Sequence, residues 1–74
     1  MQGNPKMEPI HGSSHVSEIG YDPVERTLYV RFRSGAEYRY HEVPQTVYDQ
    51  VRSAASVGKS LYQNVSGVYQ SSKA

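Results

Sequence analysis

Thr27-Leu28-Tyr29-Val30-Arg31-Phe32-Arg33-Ser34-Gly35-Ala36-Glu37-Tyr38-Arg39-Tyr40-His41-Glu42-Val43 decides the fold of this chain. Leu28, Val30 and Phe32 alternate with Tyr29, Arg31 and Arg33. Beyond Ser34-Gly35, Tyr38 and Tyr40 alternate with Glu37, Arg39 and His41. A period of two marks strands with one buried and one wet face. Parity then fixes the register. A two-residue turn at Ser34-Gly35 would set Val30 opposite Arg39 and mix apolar with charged side chains on each face. A three-residue loop, Arg33-Ser34-Gly35, pairs Phe32 with Ala36, Val30 with Tyr38 and Leu28 with Tyr40. It also puts Gly35 where a type I turn with a G1 bulge needs positive φ. A slip of one residue would turn every side chain to the wrong face.

Outward from the hairpin, Ser17, Ile19 and Tyr21 share one face of a preceding strand, and Val16 is out of step with them. That mismatch places a bulge near Ser17–Glu18. Asp22-Pro23 starts the connection to Thr27, because proline fixes φ and has no N–H for a ladder. After the hairpin, Val43-Pro44 switches the period. Pro44 suits a helix start, and Val47, Val51, Ala54 and Ala55 recur at helical spacing, with Tyr48 flanking them. The pattern predicts a helix from Gln45 to Val57, stopped by Gly58, with Lys59 at its negative end. Leu61, Val65, Val68 and Tyr69 predict a short second element turning at Gly67. Residues 1–12 lack periodicity and read as a disordered tail, residues 70–74 as another, leaving 13–69 as the domain. The expected fold is α+β: a three-stranded antiparallel sheet, one main helix packed on one face, and a short carboxy-terminal element. Phe32 and Val51 are expected in its core.

Composition narrows the function classes. At 74 residues the chain holds one small domain. With no cysteine it has no disulfide framework or thiolate metal site, which suits a reducing cytoplasm. No apolar run reaches the length of a membrane span or signal-peptide core. Tyrosine, with seven copies against one Phe and no Trp, is the main large packing residue; its ring serves cores and contact surfaces alike. A net charge of +1 makes any nucleic-acid argument depend on where the charges lie.

Several segments together carry a family resemblance. They are Ser13-Ser14-x-Val16-x-x-Ile19-Gly20-Tyr21-Asp22-Pro23, Leu28-x-Val30-x-Phe32 with Gly35, the centre Tyr38-Arg39-Tyr40, Val43-Pro44-x-x-Val47-Tyr48, and Gly58-Lys59. Over residues 13–69 the chain resembles the KTSC domains, small modules at the carboxy-terminal end of some lysyl-tRNA synthetases that also occur as free-standing bacterial proteins. The resemblance implies an RNA-binding role. One departure bears on it: the family carries arginines after the helix, where Gln63, Ser66 and Val68 stand here.

The residues themselves offer one binding surface. On the outer hairpin face stand Tyr29, Arg31, Arg33, Arg39 and His41, with Glu37 as the hairpin's acid on that side. The register pairs Tyr29 with Arg39 as a cation–π contact and Arg31 with Glu37 as an ion pair. Rings and guanidinium groups on an open sheet are what single-stranded nucleic acid uses. The competing reading is a solvated face that keeps the sheet soluble. Tyr38 and Tyr40 belong beneath the helix, whereas Tyr62 and Tyr69 are free to line the edge of a groove. His11, His15 and His41 do not converge on a metal, and no cofactor is implied. No catalytic constellation is present: there is no cysteine, no nucleophile elbow, and no cleft around Asp22 and Glu25. Val57-Gly58-Lys59-Ser60 ends like a phosphate-binding loop but has Ser53 where the first glycine belongs, and it reads as a helix stop. The expected function is a non-catalytic binding module for RNA or another single-stranded nucleic acid. The alternatives are a module docking on a protein partner and a weak homodimer through unprotected sheet edges.

Overall fold

The structure, a computed structural model, describes residues 6–11 and 13–73. The tail readings on residues 1–5, 12 and 74 fall outside the described residues. Strand β2 (Val16–Asp22) pairs antiparallel with β3 (Thr27–Phe32), and β3 with β4 (Glu37–Tyr40). The hairpin register is the one that parity requires: Leu28 faces Tyr40, Val30 faces Tyr38 and Arg31 faces Glu37. Phe32 donates its N–H to the Ala36 carbonyl at 2.8 Å, and Gly35, at φ +97°, donates to Phe32 at 2.9 Å. The β2–β3 register shifts between Val16 and Glu18, so Ser17 is the bulged residue. Its extra residue brings both Val16 and Ile19 to the core face. Asp22 caps the connecting turn, its Oδ1 accepting from the N–H groups of Val24 and Glu25 at 3.0 and 3.2 Å.

The sheet has five strands, not three. Glu8–Pro9 (β1) pairs with β2, and Ser71–Lys73 (β5) pairs with β4, giving the order β1-β2-β3-β4-β5. Both additions come from segments whose sequence reads as tail, because two or three polar edge residues show no alternation to detect. The helical region also differs from expectation. Helix α1 covers Gln45–Arg52, with Pro44 as its N-cap, and α2 covers Val57–Asn64. Serines break the helix. Ser53 folds back on the Asp49 carbonyl through its hydroxyl at 2.7 Å, and Ser56 starts α2 by accepting from the Lys59 N–H at 3.3 Å. Gly58 therefore lies in the first turn of α2 instead of ending a helix. A β-carbon there would stand 3.0 Å from Ser13 Oγ, so the glycine permits α2 to approach the entry to β2.

One core joins the layers. Ile19, Leu28, Val30 and Tyr40 of the sheet meet Tyr48 and Val51 of α1, Val57 and Leu61 of α2, and Val43 and Val65 of the flanking loops. Tyr21 ties α1 to the sheet. Its ring stacks on Tyr48 with centroids 5.0 Å apart, and its hydroxyl donates to the Val43 carbonyl. Val51 is fully buried, but Phe32 is only half-buried, edge-on to Tyr38 at 5.8 Å, and Ala55 is exposed. Phe32 lies at the end of β3, where α2 leaves a groove uncovered.

Candidate nucleic-acid interface

Both cross-strand pairs read from the hairpin form. The Arg39 guanidinium lies 5.8 Å from the centroid of the Tyr29 ring, and Arg31 Nε donates to Glu37 Oε2 at 2.7 Å. The neighbouring strand adds a second acid that the hairpin alone does not disclose. Arg31 Nη1 also reaches Glu18 Oε1 at 2.9 Å. The hydrogen bond and charge of Glu37, followed by the charge of Glu18, push the Arg31 guanidinium above its ordinary pKa. Arg31 is thus a bridge between two carboxylates, and the middle of the outer face is close to charge balance.

The other candidate residues divide. Arg33 turns to the amino-terminal segment, where Nε donates to the Ser13 carbonyl at 2.8 Å and Nη2 to that of Ile10 at 3.5 Å. His41 Nε2 shares a hydrogen bond of 2.9 Å with Ser72 Oγ and so helps hold β5. Arg39 stays exposed over a half-buried Tyr29. Met7 borders the same shallow hollow, of about 70 Å³, as Tyr29, Arg31 and Arg39. Among the described residues, the outer face is a platform with one ring, one available guanidinium beside it, and a methionine at its margin.

A far larger concavity than this hollow, about 850 Å³, lies elsewhere. It runs between the segment entering β2, the hairpin turn and α2, and Arg33, Lys59, His15, Phe32 and Tyr62 stand along it. Of these, the sequence pattern puts Arg33 on the outer face and Lys59 at a helix end, and only Tyr62 at a groove. The Ser56 cap is the signal that could have found it, since it converts Gly58-Lys59 from a helix end to a helix start. Among the described residues, no group of three or more His, Asp and Glu side chains is placed to hold a metal ion. No helix among them is long and apolar enough to cross a membrane.

Comparison with known proteins gives concordant results. A family model for the KTSC domain matches residues 12–69. A protein of Tsukamurella paurometabola is 45% identical over 53 residues, covering 72% of this chain and 78% of that protein. A lysine–tRNA ligase of Nostoc sp. is 32% identical over 57 residues, which are 77% of this chain and 10% of the ligase. The crystal structure of a KTSC domain protein from Yersinia pestis superposes with a TM-score of 0.90 at 31% identity, covering 96% of this chain and 99% of that one.

Proposed function

The chain belongs to the KTSC domain family, and on that premise we propose that it is a small, non-catalytic cytoplasmic module that binds RNA or another single-stranded nucleic acid. The observation that carries this reading is the Tyr29–Arg39 pair, a ring and a guanidinium assembled on a sheet face that no helix covers. Bases stack on such rings with little regard to sequence, and a neighbouring cation meets the phosphate. The match to a stretch of a lysine–tRNA ligase supports the same ligand class. Because Glu18 and Glu37 occupy Arg31, stacking leads and charge assists. His41, held by Ser72, flanks the platform, whereas Arg33 turns away from it to the segment before β2.

Binding of a fluorescently labelled, short single-stranded RNA across a salt series tests this reading. One phosphate contact through Arg39 gives a log–log slope of about −0.7, and Arg39→Ala removes most of it. A slope near zero in the parent protein, or an Arg39→Ala protein that binds as tightly, refutes the assignment.

A second reading rests on the sheet edge. Every residue of β5, Ser71–Lys73, is exposed, and β5 ends the strand order, so one side of its backbone is open for a partner strand or a second copy. Sedimentation at rising protein concentration distinguishes it. Self-association that is insensitive to Arg39→Ala favours the edge.

A further inference from the structure

The groove beside α2 has a chemistry unlike the rest of the surface. The chain as a whole nearly balances its charges, with 8 Lys and Arg against 7 Asp and Glu. Yet the described residues lining the groove include Arg33, Lys59 and His15 and no carboxylate. Its cations are also unneutralised. Arg31 and Arg52 each sit against glutamates, whereas Arg33 and Lys59 enter no ion pair among the described residues. Arg33 is instead braced by two neutral carbonyls, of Ser13 and Ile10, which hold the guanidinium in place without cancelling its charge. Those bonds use Nε and one Nη2 donor, leaving the Nη1 pair uncommitted among the described hydrogen bonds.

The start of α2 adds to this field. Ser56 satisfies the Lys59 N–H, while the N–H groups of Val57 and Gly58 have no carbonyl within the helix to accept them. They present the positive end of the helix dipole beside the Lys59 ammonium. The groove is not polar throughout. Val16, Leu61 and Tyr40 form an apolar floor, Phe32 exposes part of its ring, and Tyr62 is 76% exposed. A volume of about 850 Å³ lies within the usual range for small-molecule sites.

Each wall of the groove sets an acid-free cation near an aromatic ring, Arg33 next to Phe32 on the hairpin and Lys59 one turn from Tyr62 on α2. This pairing matches a ligand that carries an anionic group and a flat, apolar one. We infer that this groove binds a phosphorylated nucleoside. The phosphate lies against Lys59, Arg33 and the first turn of α2, and the base lies against Phe32 and Tyr62. This site is separate from the Tyr29–Arg39 platform and stands or falls without it. The nucleotide can be a free monophosphate or one residue of a strand.

Titration of the isotopically labelled full chain at low salt with adenosine 5′-monophosphate, adenosine and inorganic phosphate tests the inference. The monophosphate is expected to move the amides of Gly58, Lys59 and Ser34 while leaving Tyr29 and Arg39 in place. Adenosine or inorganic phosphate alone should bind about tenfold more weakly, since each lacks one half of the recognition. Lys59→Gln, at an exposed position, should weaken the monophosphate about tenfold with the fold intact. Arg33→Lys keeps a cation while releasing the Ser13 brace, and should weaken it less than Arg33→Gln. No groove shift with the monophosphate, equal binding of adenosine, or an unaffected Lys59→Gln protein overturns the inference. Inorganic phosphate binding as tightly as the monophosphate overturns its aromatic half. A short oligonucleotide without terminal phosphate, compared with the monophosphate, then identifies which source of the same chemistry the groove prefers.

Discussion

The sulfur of Met7 lies 2.7 Å from where a β-carbon on Gly20 would stand, and the Lys6 carbonyl oxygen lies 3.0 Å from the same point. Gly20 pairs with Tyr29 in the sheet, so the amino-terminal segment crosses the outer face immediately beside the proposed stacking ring. The same segment is fixed by the Ile10 N–H donating to the Ser17 carbonyl at 2.8 Å and by Glu8 accepting from Arg52 Nε at 3.0 Å.

Gly20→Ala should therefore push residues 6–7 off the sheet. The Met7 thioether can swing aside, but the Lys6 carbonyl is backbone and has to shift with its segment, and the cost should be about 1 kcal/mol, at the low end for overpacking. Hydrogen exchange checks this directly: the Ile10 amide should lose protection while the Val30 amide keeps it. Unchanged exchange at Ile10 would mean that the segment is not held by that contact.

Core substitutions should rank by burial. Leu28 is fully buried, and Leu28→Ala should cost about 2–5 kcal/mol. Phe32 is half-buried at the groove, so Phe32→Ala should cost less than the ~3 kcal/mol at which full phenylalanine truncations begin. Denaturant unfolding of both variants measures the order. A Phe32→Ala protein less stable than Leu28→Ala would place the groove ring in the core.

Alkaline stability follows from two tyrosines. Burial first, then the neighbouring Tyr38 hydroxyl, raises the Tyr40 pKa above its ordinary value of 10.0. Burial, then the charge of Glu8, raises Tyr48 likewise. A folded-state pKa above the unfolded one gives stability that is complete below about pH 10 and is lost as pH rises through the folded value. The melting temperature should fall across that range, and Tyr40→Phe should flatten part of the fall. An identical pH profile in Tyr40→Phe would show that Tyr40 does not carry it.

How far the sequence discloses this molecule depends on how much chain repeats a pattern. Leu28, Val30, Tyr38 and Tyr40 alternate over enough residues for parity to settle the register, and Val16 against Ile19 announces the bulge at Ser17. Glu8–Pro9 and Ser71–Lys73 are too short to alternate, and neither falls within the KTSC match. The end of α1 is obscured for another reason. Glycine commonly stops helices, but here Ser53 and Ser56 make the break and Gly58 serves close packing against Ser13. At the candidate site, hairpin parity identifies the Tyr29–Arg39 pair. It does not bring in Glu18 of β2, which is why Arg31 reads as available when it is bridged.

That bridge makes a prediction about the salt slope as well as about affinity. Glu37→Gln and Glu18→Gln should each strengthen RNA binding by freeing Arg31, and the double substitution should steepen the salt slope by about 0.7 as one more phosphate contact becomes possible. Both are exposed pairs, so the melting temperature should change little. Anisotropy titrations across salt measure the effect. A double variant with the parent's slope would show that Arg31 plays no part.

The most direct measurement of the central claim is an amide shift map of the labelled chain titrated with short single-stranded RNA at low salt. If the outer hairpin face is the platform, Tyr29, Arg31, Arg39 and His41 shift together in a saturable way, and Arg39→Ala abolishes most of the movement. If those four amides stay fixed at RNA concentrations that saturate any other surface, the account of this face is wrong.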